Sequence, residues 1–388
     1  MPHSNTQRRL TGLLKQLGIA AIYALVAYMV GSYLKSDTVA SVFEPTSGLA
    51  LAVLLIGGLR YAWAIFLGGL LFSIISGSPL WVTVATTLGN TLGPLLGAWL
   101  LTRDDRFDSR LRSLRSYLRL ILLGSLGNAI VAPIGYMALL VSGFPAGESY
   151  FKDVIHWWMG DTLGIILITP LFLVWRLEKS DWLEMKRVHV AVLLLALTFL
   201  AGQAVFLDWF HDSIGLVSKG YVMFLFIAWV AVRLGTWGTV IALVITAVQA
   251  LLGTHYGTGF FADDIAATNL TNYWLYMVIL SVVGMALATY FAERNLAERQ
   301  LRDLSAHLQN VREEEKAGIA REIHDDLGGT LTAIRMEIYF LERGLPAGKG
   351  SAPLFERIES MSRLLDNAVG VTRRVITELR PTMLDDLG

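Results

Sequence analysis

Apolar runs between about residues 17 and 291 limit what this chain can fold into more than any other feature of its sequence. Most of these runs extend over roughly 18 residues or more, which as a helix is long enough to cross a bilayer core of about 30 Å. Hydrophobic residues make up 54% of the sequence and charged residues only 16%, which is too apolar for an ordinary soluble protein. We therefore predict an all-α chain whose largest part is a polytopic membrane helix bundle.

Ten stretches of the sequence are candidate membrane spans. Two of them, 46–59 and 220–233, are short, and the number would be eight if these are re-entrant or fused with a neighbour. The ten candidate spans are 17–35, 46–59, 61–77, 80–101, 119–142, 156–175, 188–207, 220–233, 236–253 and 272–291.

Lysine and arginine residues are distributed unequally between the two sides of these spans. If the N-terminus is inside, fifteen of them lie on the cytoplasmic side and three, Lys35, Lys152 and Lys219, on the other. Cytoplasmic loops carry an excess of lysine and arginine, so both termini are predicted to be cytoplasmic. The cationic N-terminus also fits a signal peptide, but no small-x-small site ends the first apolar run, which we therefore interpret as a retained span. The fifteen are Arg8, Arg9, Lys15, Arg60, the six arginines from Arg103 to Arg119, Arg176, Lys179, Lys186, Arg187 and Arg233.

Charge and cysteine content bound the chemistry and the domain organisation. Charged residues are sparse up to Phe291 and dense from Glu293 onward, which indicates a membrane domain followed by a soluble one. The sequence has no cysteine, which excludes disulfides, thiolate metal sites and a cysteine nucleophile. No metal site is expected elsewhere in the chain.

Several polar and aromatic residues lie near or within the apolar spans. Ionisable groups at membrane depth are costly and usually face a cavity or a partner, so they are candidates for an input site. In the alternative interpretation the tryptophans are interfacial anchors, and the acidic and histidine side chains lie among the lipid headgroups. Asp161 is the best candidate because a full apolar span follows it. The candidate input site consists of Glu44, Arg60, His156, Trp157, Trp158 and Asp161.

Two segments of the membrane part carry a family resemblance. The sequence Pro-x-x-Gly-Leu-Ala-Leu-Ala begins at Pro45, and a second segment runs from Trp157 through Gly160-Asp161 to Pro170. Together they resemble the membrane-associated sensor (MASE) domain of bacterial signalling proteins, over roughly residues 15–292. The resemblance implies a sensory module in the bacterial inner membrane. A transporter is the alternative for this part, although the two halves show no clear internal repeat.

The segment 293–318 is predicted to be a coiled connector helix. Leu301, Leu304, Leu308 and Val311 repeat at spacings of three, four and three residues, as in the apolar seam of a coiled coil. No glycine or proline interrupts the segment before Gly318. A stiff two-stranded connector of this kind can transmit a rotation or shift of the membrane helices.

Residues 319–388 are predicted to form a helical hairpin. Two apolar stripes with helical spacing are separated by Gly344, Pro346, Gly348 and Gly350, which break helices. One such hairpin cannot bury both stripes, whereas two copies form a four-helix bundle, so a homodimer is expected. The first stripe is Ile319, Ile323, Leu327, Leu331, Ile334, Ile338 and Leu341; the second is Leu354, Ile358, Met361, Leu365, Ala368, Val371 or Thr372, Val375 and Leu379.

His324 follows a residue of the first stripe and is followed by Asp325 and Asp326. Its side chain is therefore expected to point off the stripe towards water. An exposed imidazole beside a carboxylate can act as a nucleophile, because the carboxylate accepts the proton of one ring nitrogen while the other attacks phosphorus. An ordinary solvated helix histidine is the alternative interpretation of an isolated His-Asp pair.

The motifs around His324 resemble the dimerisation and phosphotransfer domain of two-component histidine kinases. They are Arg312-Glu313-Glu314-Glu315, then Ala320 to Gly328, then Glu378-Leu379-Arg380-Pro381 followed by Leu384-Asp385-x-Leu387-Gly388. Joined to a MASE-type sensor, this domain is most similar to the hexose-phosphate sensor kinases. The resemblance implies that His324 accepts phosphate from ATP, that Asp325 is the general base, and that a cytoplasmic response regulator receives the phosphate.

The sequence departs from that family at two points. The family continues into an ATP-binding domain, whereas this sequence ends at Gly388 and has no phosphate-cradling glycine loop. It is therefore expected to be a portion of a longer kinase, inactive alone, with ATP bound by an absent domain. Many relatives also have, five residues after the histidine, a glutamine that orients water for dephosphorylation of the regulator. Gly329 occupies that position here, so weak phosphatase activity is expected.

The leading interpretation is thus the sensor and phosphotransfer portion of a membrane histidine kinase. The alternatives are a catalytically silent membrane receptor or scaffold, and a transporter with a regulatory tail. The signal could be a small molecule, a property of the membrane lipids, or a partner membrane sensor or transporter protein. Direct nucleic-acid binding is not expected, because the positive-inside bias explains the basic cluster at 103–119.

Overall fold

The computed structural model describes residues 3–33, 43–143, 150–175, 185–209, 220–268, 270–344 and 352–379. Within these ranges all regular secondary structure is helical. The prediction of an all-α chain is confirmed. Contacts divide the chain into two units, Met1–Asn295 and Leu296–Gly388.

Among the described residues, nine helices of eleven or more residues lie wholly in the first unit, and a tenth begins there. Leu59–Tyr61 and Gly259–Phe261 form short 3-10 turns, and Asp264–Thr268 forms a five-residue helix. The labelled helices are α1 His3–Tyr33, α2 Pro45–Gly57, α3 Ala62–Ile75, α4 Leu80–Arg103, α5 Leu114–Asn128, α6 Val131–Val141, α7 Tyr150–Trp175, α8 Met185–Phe206, α9 Val222–Tyr256 and α10 Thr271–Glu322.

Six helical stretches in the described ranges are long and apolar enough to cross a membrane. Large apolar side chains such as Leu122, Leu225 and Ile74 lie exposed on these helices and on α3, as expected for a lipid-facing surface. The first unit therefore has the character of a multi-pass membrane protein. The six are Leu10–Ser32, Leu114–Val141, Tyr150–Trp175, Val188–Phe206, Val222–Tyr256 and Thr271–Arg343, with Pro45–Gly57 and Leu59–Ile75 as shorter apolar helices.

Three predicted spans differ in their backbone from the sequence interpretation. The segment 119–142 is not one helix, because a turn at Ala129 and Ile130 separates α5 from α6. Both turn residues are apolar, so hydropathy carries no signal for the break. The predicted spans 220–233 and 236–253 both lie in α9, on either side of Gly235, whose φ of 66° is not helical. Glycine adopts this conformation at little cost.

The first unit is held together by close helix pairs, among them α2 with α7, α8 with α9, α4 with α5, and α1 with α3. Leu51 and Leu54 of α2 and Leu163 and Ile166 of α7 are almost completely buried in its core. A side chain at Gly127 would overlap with the backbone of Gly97 on α4, so the small residues let these helices approach closely.

The second unit contains a π-helical turn, Ile323–Leu327, followed by α11 Gly328–Gly344 and α12 Ala352–Leu379. The two helices form a hairpin in which Ile338, Ile358 and Leu365 are buried together with the partly buried Leu331. Arg335 donates a hydrogen bond to Asp366 across the hairpin. Other members of the two predicted stripes remain exposed, namely Ile319, Leu327, Ile334, Leu341, Leu354, Met361, Val371 and Val375.

Candidate functional site

The candidate phosphotransfer site lies in the π-helical turn Ile323–Leu327. His324, Asp325 and Asp326 are all exposed there, whereas Ile323 is partly buried. The expected orientation of His324 towards water therefore agrees with its position in the structure. Sequence periodicity predicted an uninterrupted α-helix at this point and gave no sign of the π turn. Such turns are rare in proteins, but many of those that occur lie at functional sites.

The backbone after the π turn is held by two threonine side chains. Thr330 Oγ1 donates to the carbonyl oxygen of Asp326 at 2.7 Å, and Thr332 Oγ1 donates to that of Gly328 at 2.7 Å. An exposed imidazole on a helically fixed backbone is accessible to an incoming phosphoryl group. Asp325 is the acidic residue nearest to His324 in sequence, and its carboxylate can accept the imidazole proton.

The second candidate site surrounds Asp161, which is fully buried in the middle of α7. Ser47, in the first turn of α2, donates its hydroxyl to Asp161 Oδ1. The other oxygen, Oδ2, has no hydrogen-bond partner among the residues that the structure describes. This arrangement holds a polar group at the centre of an apolar bundle.

Backbone contacts fix α2 against α7 around Asp161. The Glu44 amide donates to the carbonyl oxygen of Gly160 at 3.1 Å, and Thr169 Oγ1 donates to that of Gly48 at 2.9 Å. A side chain at Gly164 would overlap with the Glu44 carbonyl, so only glycine permits this approach. The Glu44 carboxylate itself accepts a hydrogen bond from the Thr46 hydroxyl. Glu44 and Asp161 therefore belong to one cluster.

The other predicted input residues on α7 make separate contacts. His156 is buried, with Nδ1 2.7 Å from the carbonyl oxygen of Lys152 and Nε2 3.5 Å from Thr271 Oγ1 of α10. Trp157 packs its ring against Gly135 of α6. Trp158 Nε1 donates to the carbonyl oxygen of Ser125 on α5 at 2.9 Å. These side chains thus connect α7 to three neighbouring helices.

Glu44 precedes the N-terminus of α2, whereas Arg60 follows its C-terminus, in the turn Leu59–Tyr61. A helix of this length extends about 20 Å, so the structure does not bring Arg60 to the Asp161 cluster. Its guanidinium carbon lies 5.3 Å from the centroid of the Tyr61 ring, a cation–π contact.

A multi-pass helical membrane unit, followed by a helical hairpin that exposes a His-Asp pair, defines the class of membrane-bound sensor histidine kinases. The MASE1 family model matches residues 14–295, and the chain belongs to this family. A second family model, described as histidine kinase, matches residues 315–384, which include His324 and the hairpin. The resemblance to sensor kinases predicted from the sequence is thereby confirmed.

Two curated proteins show what the chain is similar to. The sensor histidine kinase MctS of Rhizobium johnstonii is 28% identical over 148 residues, 34% of this chain and 32% of the relative. The signal transduction histidine-protein kinase/phosphatase UhpB of Salmonella typhimurium is 37% identical over 84 residues, 22% of this chain and 16% of the relative. The matched segments thus span a third or less of each relative. No solved structure matches the chain.

Proposed function

We propose that this chain is the sensor and phosphotransfer portion of a two-component membrane histidine kinase, in which His324 accepts phosphate from ATP. The observation that carries the proposal is the exposed His324-Asp325 pair in a π-helical turn, inside the segment that matches the histidine kinase family. ATP as the phosphoryl donor, bound by a catalytic domain outside this sequence, is part of the proposal.

In the proposed reaction, one ring nitrogen of His324 attacks the γ-phosphorus of ATP. A nitrogen–phosphorus bond forms as the bond between that phosphorus and the bridging oxygen of ADP breaks. Asp325 accepts the proton released from the other ring nitrogen, which keeps the imidazole neutral as it becomes phosphorylated. The phosphoryl group then passes to an aspartate of a response regulator, and His324 is regenerated.

The proposed functional unit is a homodimer. The exposed apolar residues of α11 and α12, such as Ile334, Leu341 and Met361, are not covered by the described part of one hairpin. Two hairpins can bury them in a four-helix bundle. Sensor histidine kinases generally act as dimers, which supports the same assembly.

The proposed organisation places a sensor domain at 1–292, a coiled connector at 293–318 and the phosphotransfer hairpin at 319–388. The proposed location is the bacterial inner membrane with both termini in the cytoplasm. The fifteen-to-three distribution of lysine and arginine residues supports this orientation. It also puts His324 on the side where ATP and a response regulator are available.

The Asp161 cluster, with Glu44 and Ser47, is proposed to take part in the detection of the signal.

The test uses a separately supplied catalytic domain. We mix the purified chain with a separately expressed ATP-binding domain of a related kinase and γ-labelled ATP, and measure acid-labile, base-stable label on the chain. Labelling is expected for the native chain and is expected to vanish in His324→Gln. His307→Gln is the matched control, because His307 is an exposed histidine in the preceding helix α10 and is not followed by an aspartate.

Three outcomes separate the proposal from its alternatives. Label that persists in His324→Gln would place the phosphate elsewhere and contradict the assignment. Intact signalling by His324→Gln in cells would favour the silent receptor or scaffold. Substrate flux in vesicles that is lost in Asp161→Asn would favour the transporter. The related kinase's own phosphotransfer domain serves as the positive control for the catalytic domain.

A further inference from the structure

A cavity of about 240 Å³ lies in the membrane unit between α5, α7 and α10. Its walls are mainly apolar and include Ile121 of α5, Ile166 of α7 and Val278 of α10. It exceeds the cavity of roughly 150 Å³ that suffices to bind benzene in another protein. Among the residues that the structure describes, no acidic or basic side chain lines it.

Two hydroxyl groups in the cavity wall lack hydrogen-bond partners. Ser125 and Thr162 are more than nine-tenths buried, and neither Ser125 Oγ nor Thr162 Oγ1 has a partner in the described part of the chain. Burial of a hydroxyl without a hydrogen bond is unfavourable. Several other hydroxyls in the same unit avoid this cost: those of Thr198, Thr246 and Thr289 each donate to the carbonyl four residues earlier at 2.8 Å. The hydroxyls of Thr87 and Ser281, which do not line this cavity, also lack a partner among the described residues.

Two tryptophans complete the wall, and their polar atoms are already occupied. Trp158 Nε1 donates to the carbonyl oxygen of Ser125, and Trp274 Nε1 to that of Met159, both at 2.9 Å. Their ring centroids are 6.5 Å apart. The rings therefore offer apolar and aromatic contact, while the hydroxyl oxygens of Ser125 and Thr162 lie covered in the wall and can form hydrogen bonds with a ligand after rotation about χ1. A ligand that satisfies both is uncharged and mostly apolar, with one or two hydroxyl or carbonyl groups.

We propose that this cavity binds a neutral, mostly apolar small molecule of about the size of a substituted benzene ring, held by hydrogen bonds to Ser125 and Thr162. Leu122 and Leu126 in its lining are exposed on the outer face of α5, so the molecule enters from the bilayer. Trp274 and Val278 belong to α10, the helix that ends at Glu322, two residues before His324. The role of this molecule as a signal rests on the proposed kinase function, whereas its binding does not.

The test uses the absence of native cysteines in the chain. Ser125→Cys and Thr162→Cys each introduce a single thiol into the cavity with little change in volume. The full chain in phosphatidylcholine nanodiscs is reacted with benzyl methanethiosulfonate, a neutral aromatic reagent, with and without benzyl alcohol as a competitor. No ATP or catalytic domain is present, so failure of this test is distinguishable from failure of the proposed function.

Two further single-cysteine variants provide matched controls. Thr87→Cys replaces another buried hydroxyl without a partner that does not line the cavity. Ile74→Cys places a thiol on the exposed apolar surface. Because a fully buried thiol reacts only after local opening, the cavity thiols are expected to react roughly tenfold faster than Thr87→Cys, or more. Benzyl alcohol is expected to slow both cavity thiols and to leave Ile74→Cys unchanged.

The proposal would be overturned if both cavity thiols reacted no faster than Thr87→Cys in detergent and in nanodiscs. Equal slowing of Ile74→Cys by benzyl alcohol would also overturn it, because that result means bulk partitioning of the competitor. Fast reaction in detergent but protection in nanodiscs would assign the cavity to a lipid acyl chain instead. Two cavity variants keep the test decisive if one of them does not fold.

Discussion

Asp325 and Asp326 follow His324 directly, and both side chains are exposed, so exposure alone does not distinguish their roles. A π turn takes more residues per turn than an α-helix, so side chains of adjacent residues diverge by a smaller angle. This geometry keeps Asp325 closer than Asp326 to the direction of the imidazole. The proposed general base is therefore Asp325.

Asp325→Asn is expected to slow phosphorylation of His324 by roughly a hundredfold, because a positioned general base typically contributes a factor of this order. Asp326→Asn is the matched control and is expected to have a much smaller effect. Initial rates with labelled ATP and a supplied catalytic domain measure both variants. Equal losses in the two variants would contradict a specific role for Asp325.

Gly329→Gln is expected to increase dephosphorylation of the phosphorylated response regulator. A Cβ atom added at Gly329 meets nothing within 4 Å, so the backbone there accepts a side chain, at the position where glutamine orients water in many relatives. Gly328→Gln is the control, since that site is equally open and gains the same helix propensity. The measurement is the rate of loss of regulator phosphate. A rise in both variants, or in neither, would argue against the positional explanation.

Single residues were predictable from the sequence where a short motif carries the chemistry. His324 and its neighbouring aspartates lie in one continuous motif, and Asp161 stands out as an acid within an apolar run. Ser125 and Thr162 did not stand out, because serine and threonine are common in membrane helices. Their proposed role in ligand binding depends on the packing of α5, α7 and α10 and on the absence of hydrogen-bond partners for their hydroxyls among the described residues, and neither can be read from the sequence.

At the level of elements, apolar runs predicted the helices, whereas backbone detail depended on tertiary contacts. Hydropathy could not reveal the turn at Ala129 and Ile130, because both residues are apolar. Gly235 could be suspected of breaking α9, but its left-handed φ is a property of the folded chain. The pairing of α2 with α7 was also not predictable, although Gly48 and Gly164, which permit it, lie in the two motif segments.

Gly164→Ala is expected to lower the thermal stability of the membrane unit. Its new methyl group would overlap with the Glu44 carbonyl and push α2 away from α7, and overpacking of this kind typically costs about 1–3 kcal/mol. Gly18→Ala in α1 meets nothing within 4 Å and serves as the control. Unfolding midpoints of the detergent-solubilised variants provide the measurement. Unchanged stability of Gly164→Ala would show that the α2–α7 contact is looser than described.

At the scale of the whole molecule, a signal received among the membrane helices has to reach His324 through residues 293–318. Leu301, Leu304, Leu308 and Val311 are all exposed in one chain, although they form a regular apolar stripe. A stripe of this kind is stable in water when a second helix covers it. The connector therefore supports the same homodimer as the uncovered hairpin.

Leu308→Cys tests this assembly, because the chain has no other thiol. In a parallel two-stranded coil, seam positions of the two copies approach closely enough for the Cα separation of about 4.4–6.8 Å that a disulfide requires. Mild oxidation in membranes is therefore expected to yield covalent dimers of Leu308→Cys. Ala306→Cys, two residues away and on the opposite face of the helix, is expected to yield few. Comparable dimer formation at both positions on non-reducing gels would mean random collision and would contradict a defined seam.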